Sequence, residues 1–565
     1  MWLTVIILTT LSLIVSCGFL VFTTYDNSSI LAGSSANDIF YHVNRIQGIA
    51  DAWKGNGFLS FVSIYPNAIN GYGYLSSLFY PDLFLYLPAI LVYFGIPAIN
   101  AYFLFMFLIG IIMGLIMYGF ANKLFKNKNV ALVTSLLYVT QNYVIFDMFR
   151  RSALGEVLGL LFILIGCIGI YNLLYENYSK PHILLIAILG LTYSHLISLL
   201  FFALCLIVVV LINAKKLFTN KSFYLKTITI FILYLVLSLG FFLPFIRVNL
   251  LDEYMFSDPW TNVVNNQFNI IDVFFREMGI GIVFIFLIVF LRLKIKRTDE
   301  NQNTIKIIDK LILAIIIISL IATGLFPWSY SIVSKTLGVV QYPWRVNMLL
   351  TPIAPILIVL LMKEFTLNRV KFSFNRFALL LVIIIPIYNM VGTIIAVGTD
   401  RLYFNYNSVS MAEYLPLSEH DRWEMLTHFS NNSQIVDSNG ETINFTRDEN
   451  TTNIYFNSTS DTSYYDLPLI CYVDYVATIN YNGEQETLKI EKNEYGAIRV
   501  LTNGLNGEVN VTYVTPKAHK IAVNTSFISA VLLIVGYSTY LIIKTNKKRK
   551  KSQPTKVNPI GVTSN

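Results

Sequence analysis

Residues 37–57 read NDIFYHVNRIQGIADAWKGNG, and residues 70–82 read NGYGYLSSLFYPD. They bound the first long polar segment after an apolar N-terminal stretch, Met1 to Thr23. On a helix that starts near Asp38, the spacing i, i+4, i+7 sets Asp38, His42 and Arg45 within about 60° of one another. Ile39, Val43, Ile46 and Ala50 form a neighbouring apolar stripe. The pattern predicts a helix lying on or just above a bilayer, with a carboxylate, an imidazole and a guanidinium along one edge. Asn37 or Asp38 fits equally as a plain N-cap, and Asp82, after Pro81, as a cap of the next helix.

Outward from this stretch the chain reads as a membrane protein. Of 565 residues, 55% are hydrophobic and 13% charged, with a mean hydropathy of +0.60; soluble proteins carry about 25% charged residues. The net charge of +8 does not indicate nucleic acid, because much of the Lys and Arg sits in short loops between apolar runs, where positive charge sets topology. Cys17, Cys167 and Cys205 fall in apolar runs and Cys471 stands alone in a polar region, so neither a disulfide framework nor a CxxC metal site can be built. Met1–Thr23 lacks a basic n-region and an A-x-A cleavage pattern, and is expected to stay as a first transmembrane helix.

A spanning helix needs about 20 apolar residues. Apolar runs at roughly 3–23, 99–120, 129–147, 154–175, 182–194, 196–213, 225–246, 279–296, 309–326, 346–362, 376–398 and 525–543 predict about twelve transmembrane helices. Residues 83–97, broken by Pro88 and ended by Gly95 and Pro97, read as an interfacial or re-entrant helix. The run 182–213 is too short for two full spans, so two short helices are expected to meet near Thr192–His195, at the floor of a water-filled cavity. Basic loops around Lys123–Lys128, Lys215–Lys226, Arg292–Arg297 and Lys363–Arg376 all fall on one side if both termini lie inside. The fold class expected is thus a polytopic α-helical membrane protein with a C-terminal, mostly β extracytoplasmic domain. Its parts are a transmembrane domain at 1–398 (first outer loop 24–98), a β-rich region at 399–523, a last transmembrane helix at 524–544 and a disordered basic cytoplasmic tail at 545–565. Alternating stretches such as YVATINYN, with Asn-Gly pairs at Asn439, Asn482 and Asn503, predict hairpins and a sandwich.

Charges at the outer ends of apolar helices are costly and tend to be functional. Asp38, His42, Arg45 and Asp82 come from the first outer loop. Asp147, Arg150, Arg151 and Glu156 come from the second, His195 from the third, and Asp252, Glu253, Asp258, Arg276 and Glu277 from the fourth. Lys335 and Arg345 come from the fifth. Carboxylates act as general bases or hold a metal, and arginines clamp phosphate bidentately. Each also has a structural reading. Arg150 or Arg151 with Glu156 fits an ion pair, Arg345 a snorkelling anchor, His195 a hydrogen-bonded packing residue, and Tyr72, Tyr74, Tyr80, Trp260 and Trp344 an interface belt. No nucleotide-binding loop, HExxH or nucleophile elbow is present.

The runs DIFYHVNRIQGIADAWKGNG, NGYGYLSSLFYPDLFLYLPAIL, RRSALGE, TYSHLISLLF, QYPWR and EYLPL resemble the bacterial membrane family labelled "6-pyruvoyl-tetrahydropterin synthase related". Nothing in the chain resembles a pterin enzyme's zinc-binding histidines. The family is similar to GT-C glycosyltransferases and to YfhO-type membrane proteins, and the resemblance covers roughly residues 1–420. It implies a lipid-linked sugar donor, usually a polyprenyl-phosphate sugar, and a catalytic Asp in the first outer loop, which Asp38 matches. A second acidic position is matched by Glu156 or Asp147. NDIFYH carries one acid where many relatives have an adjacent pair, which weakens the case for a divalent metal; no other cofactor is implied. The expected function is transfer of a sugar to a cell-envelope acceptor, a teichoic acid or polysaccharide, at the outer face of the cytoplasmic membrane. In that reading Asp38 is the base, while His42, Arg45, Arg151 and Arg345 neutralise the leaving phosphate. Arg150 and His195 complete the substrate-binding set. A transporter or flippase for lipid-linked glycans, or a non-catalytic assembly protein, is the alternative.

Overall fold

The computed structural model describes residues 1–22, 29–31, 37–256, 263–264, 269–271, 279–367, 374–397, 401–403 and 413–552. Asp258, Trp260, Arg276 and Glu277, expected near the site, lie outside the described residues, as does 553–565.

Helix α1 (Trp2–Phe22) and strand β1 (Ser29–Leu31) precede α2 (Asn37–Asn56). Ile39, Val43, Ile46 and Ala50 of α2 are all buried, as an apolar stripe requires. A short helix, α3 (Tyr86–Tyr93), ends before Gly95, whose φ of +96° suits a residue without a Cβ. Then come α4 (Ala98–Phe125), α5 (Lys128–Val139) and α6 (Asn142–Arg150), the last two bent by 48° at their junction. The final five residues of α6, Phe146–Arg150, form a π-helical turn, a feature often found at functional positions. Helices α7 (Leu154–Tyr175), α8 (His182–Thr192), α9 (Leu196–Ile212) and α10 (Lys221–Leu251) follow. The chain continues through α11 (Ile282–Lys294), α12 (Gln302–Ile321), a 3-10 segment Pro343–Leu350, α13 (Ile353–Leu367) and α14 (Phe374–Val397). Strand β2 (Arg401–Tyr403) pairs antiparallel with β1. Helix α15 (Arg422–Asn431) leads into the β domain, and α16 (Lys517–Ser552) follows it.

Among the described residues, five helices are long and apolar enough to cross a membrane: α4, α7, α10, α14 and α16. The number rises to seven if α5–α6 and the 3-10 segment with α13 each count as one bent span. Several of the other apolar runs form helices that miss the length or composition. Helix α8 has 11 residues, α9 17 and α11 13, while α12 carries Lys306, Asp309 and Lys310. The junction of α8 and α9 falls at Tyr193–His195, where the shortness of the run required it.

The two bends support each other. Gln141 at the first donates its amide to the Thr351 carbonyl at the second, 2.9 Å away. Asn389 of α14 donates to the Thr140 carbonyl. A broken helix frees backbone groups that an apolar interior cannot solvate, so they need internal partners.

The β domain is one antiparallel sheet. Its strands are β3 (Ile435–Asp437), β4 (Thr442–Ile443), β5 (Phe445–Arg447), β6 (Ile454–Ser458), β7 (Tyr464–Ile470), β8 (Tyr475–Tyr481), β9 (Glu484–Lys492), β10 (Ala497–Leu501) and β11 (Gly507–Tyr513). The order is β4-β3-β7-β10-β9-β8-β11-β6-β5. A sandwich of two sheets was the expectation; instead β9 pairs with β8 along 484–488 and with β10 along 489–492, which keeps the sheet continuous. The sheet curls until its wings meet, with the rings of Phe456 and Tyr465 4.9 Å apart. Asn482 and Gly483, both at positive φ, turn β8 into β9 as a tight hairpin demands.

The domain is seated on the first loop. Arg447 donates to the carbonyls of Thr451, Gly71 and Pro66, and Ile470 N–H to the Tyr72 carbonyl at 3.0 Å. Arg247 near the end of α10 forms a two-pronged pair with Asp474 at 2.6 and 2.7 Å. The basic loops gather elsewhere: Lys123 pairs with Glu176, Lys216 donates to the Leu174 carbonyl, and Lys226 to the Tyr178 carbonyl. Residues 545–552, read from sequence as disordered tail, continue α16. Lys and Arg are good helix formers and no breaker occurs before Pro554.

Candidate functional site

Arg151 follows the π turn of α6. Its backbone N–H donates to the Phe146 carbonyl at 2.8 Å, and Ser152, with φ of +59°, redirects the chain into α7. The Tyr102 hydroxyl holds the Ser152 carbonyl at 2.8 Å. This corner aims the Arg151 guanidinium at three carboxylates. Nη1 lies 2.6 Å from Glu156 Oε1 and 3.7 Å from Asp147 Oδ1, and Nη2 lies 3.1 Å from Asp38 Oδ2. Arg345, on the 3-10 segment, places Nε 2.6 Å from the same Glu156 oxygen. The rings of Tyr342 and Trp344 flank Arg151 at 5.7 and 5.1 Å, and Tyr342 also lies 4.7 Å from Arg345. Both rings are within cation–π range. They were missed as site residues, although QYPWR carried them beside the arginine.

Exposure separates the carboxylates. The Asp38 side chain is 40% exposed, Glu156 1% and Asp147 0%. Asp38 is therefore the only one of the three that meets solvent. Glu156 is a buried counter-ion for two arginines, with Oε2 lacking a hydrogen bond, and both oxygens of Asp147 also lack one.

Arg45 and His42 point elsewhere. Arg45 is fully buried, and its Nη2 donates to the carbonyls of Tyr80 and Pro81, both at 2.9 Å. Asp82 lies 3.8 Å away and accepts from the Tyr65 hydroxyl at 2.6 Å. The expected Asp38–His42–Arg45 edge is thus divided: Asp38 joins Arg151, while Arg45 belongs to a knot under the first loop. His42 packs edge-on against Tyr41 and Tyr80. Burial, and after it the Arg45 charge, holds its imidazole well below the usual range, so it is neutral at pH 7. A void of about 10 Å³ lies between His42, Arg45, Tyr80 and Ser194, the room of about one water molecule. A phosphoryl group does not fit there in this conformation.

Arg150 turns away from the cluster. Its Nε donates to Thr393 Oγ1 at 3.1 Å and Nη2 to the Asn389 carbonyl at 3.2 Å, against Gly392, where a Cβ would collide with the guanidinium. His195 caps α9: Nδ1 lies 2.7 Å from Ser198 Oγ and accepts from Ser198 N–H. Its ring stands 6.1 Å from Tyr80.

The site is therefore built on broken helices. The 48° bend precedes Asp147 and Arg151, the 45° bend follows Arg345, and the α8–α9 junction presents His195. Among the described residues, no group of three or more His, Cys, Asp or Glu has the arrangement to hold a metal ion. No protein-family model matches the chain, and no curated protein sequence matches it.

Proposed function

We propose that the chain is a membrane-embedded glycosyltransferase that moves a sugar from a polyprenyl-phosphate donor to an envelope acceptor on the outer face. The observation that carries this is Arg151 holding Asp38, Asp147 and Glu156 at once, with Asp38 alone open to solvent. The bilayer setting is supported by the helix lengths. From Glu156 to Glu176 along α7 is about 30 Å, near the thickness of a hydrocarbon core. That separates the Arg151 cluster from the Lys123 and Lys216 loops, as inward positive charge requires. The twelve-helix, GT-C-like topology, with the β domain outside, is part of this reading, as is membership of the "6-pyruvoyl-tetrahydropterin synthase related" family.

The chemistry is a substitution at the anomeric carbon. The acceptor oxygen bonds to C1, the bond from C1 to the phosphate oxygen breaks, polyprenyl phosphate leaves, and the acceptor proton passes to Asp38. In the free state Asp38 is paired to Arg151. A donor phosphate reaching Arg151 competes for that guanidinium and releases Asp38 as the base. Glu156 holds Arg345 and Arg151 in place. His42 and Arg45, neutral and buried respectively, shape the wall.

The broken helices favour a second reading. Discontinuous helices that carry charged groups are also a feature of transporters, and in a flippase for lipid-linked glycans the same charges would line the pathway. Proteoliposomes loaded with a polyprenyl-phosphate hexose, labelled in the sugar, separate the two. Transfer of label to added envelope polymer supports the transferase. Movement of intact donor between leaflets without bond cleavage supports the flippase and defeats the transferase.

A further inference from the structure

A cavity of about 510 Å³ opens where three parts of the chain meet: the loop after α2, the β-domain edge, and the first turns of α16. Asn56 on its wall ends α2, which carries Asp38 in its first turn, so at 1.5 Å per residue the cavity lies about 27 Å along the helix from Asp38. It is separate from the Arg151 cluster. Its polar lining is amide and hydroxyl, from Asn56, Ser60, Thr452, Asn453 and Asn524, and Lys520 is its one charged lining residue. Phe61, Tyr513 and Val523 add apolar wall.

The volume falls in the range of about 300–1,000 Å³ usual for small-ligand sites. The amides of Asn56 and Asn524 offer donors and acceptors together, matched to groups that both give and take hydrogen bonds, while the Asn453 amide is engaged with Asp448 and Thr512. Hydroxyls on a ring with apolar C–H faces meet both kinds of wall. An anionic headgroup would find a single lysine and no arginine fork. We propose that this cavity binds a neutral oligosaccharide segment. The β domain and the first loop both wall the cavity, so they must be docked for the site to exist. The proposal stands apart from sugar transfer at Asp38, since binding here needs no reaction.

The test is saturation-transfer NMR on the full chain in nanodiscs, with maltohexaose, chitohexaose and a β-1,4-linked mannohexaose as probes. Transfer to at least one of them is expected. Asn524 is exposed on α16, so Asn524→Trp fills the cavity without loading the core, and it should abolish the signal. Asn56→Ala, also exposed, should weaken it several-fold. No transfer to any of the three, or transfer unchanged by Asn524→Trp, overturns the proposal. So does displacement of the sugar signal by short-chain phosphatidylglycerol at equal concentration, which would assign the cavity to a lipid headgroup.

Discussion

Arg151 collects carboxylates from the start of α2 and from both sides of its own corner, and Glu156 shares its oxygen between Arg151 and Arg345. Removing the Glu156 charge leaves two buried guanidinium groups short of a counter-ion. Breaking a buried pair in this way costs about 3–5 kcal/mol. Glu156→Gln should therefore lower the thermal midpoint by several degrees, read by intrinsic fluorescence, whereas Asp38→Asn at an exposed position should leave it nearly unchanged. Asp82 gives a pH signature. Burial, opposed by Arg45, pushes its carboxyl up to about 6. A folded-state value above the unfolded one means the native state binds the proton more tightly. Its contribution to stability is then full below about pH 4 and is lost as pH rises to about 6. The stability of the wild type relative to Asp82→Asn should fall between pH 4 and pH 7; a gap that stays constant would contradict the burial of Asp82. The sequence made Asp38, Asp147, Arg151, Glu156 and Arg345 visible because charge beside apolar helix ends is costly. It did not show that Arg45 and Arg150 turn away, because their partners, the Tyr80 and Asn389 carbonyls, are set by packing.

At the scale of elements, the stretch NGYGY at 70–74 turns out to be the seat of the β domain. It read from sequence as an approach to the next helix, since nothing local encodes a partner some 370 residues away. Arg447 makes that seat with two backbone carbonyls of the first loop, Gly71 and Pro66, as acceptors. Hydrogen bonds from a charged group contribute about 1.5–3 kcal/mol each. Arg447→Ala should raise the hydrogen-exchange rate of the Gly73 and Tyr74 amides at least tenfold. It should leave exchange in α7 unchanged. The broken pair α8–α9 was legible from length alone. The bends at Thr140–Gln141 and before Ile353 were not, because Gln141 and Thr351 meet only in the folded chain.

On the scale of the whole molecule, the contacts between the first loop and the β domain put them on one side of any bilayer the long helices cross. Single cysteines at Asn67 and Asn439 should both react with a membrane-impermeant maleimide in intact cells. Cysteines at Lys126 and Lys221 should react only after permeabilisation. The opposite pattern would invert the topology, and mixed labelling would break it. The central claim is that Asp38, freed from Arg151 by the donor phosphate, removes the acceptor proton. General-base catalysis is worth about 10²–10⁴ in rate. The most direct measurement is the single-turnover rate of sugar transfer from polyprenyl-phosphate hexose by wild type and Asp38→Asn in proteoliposomes. Asp38→Asn should lose at least about a hundredfold, the low end of that range, with donor binding kept; equal rates in the two proteins would rule Asp38 out as the base.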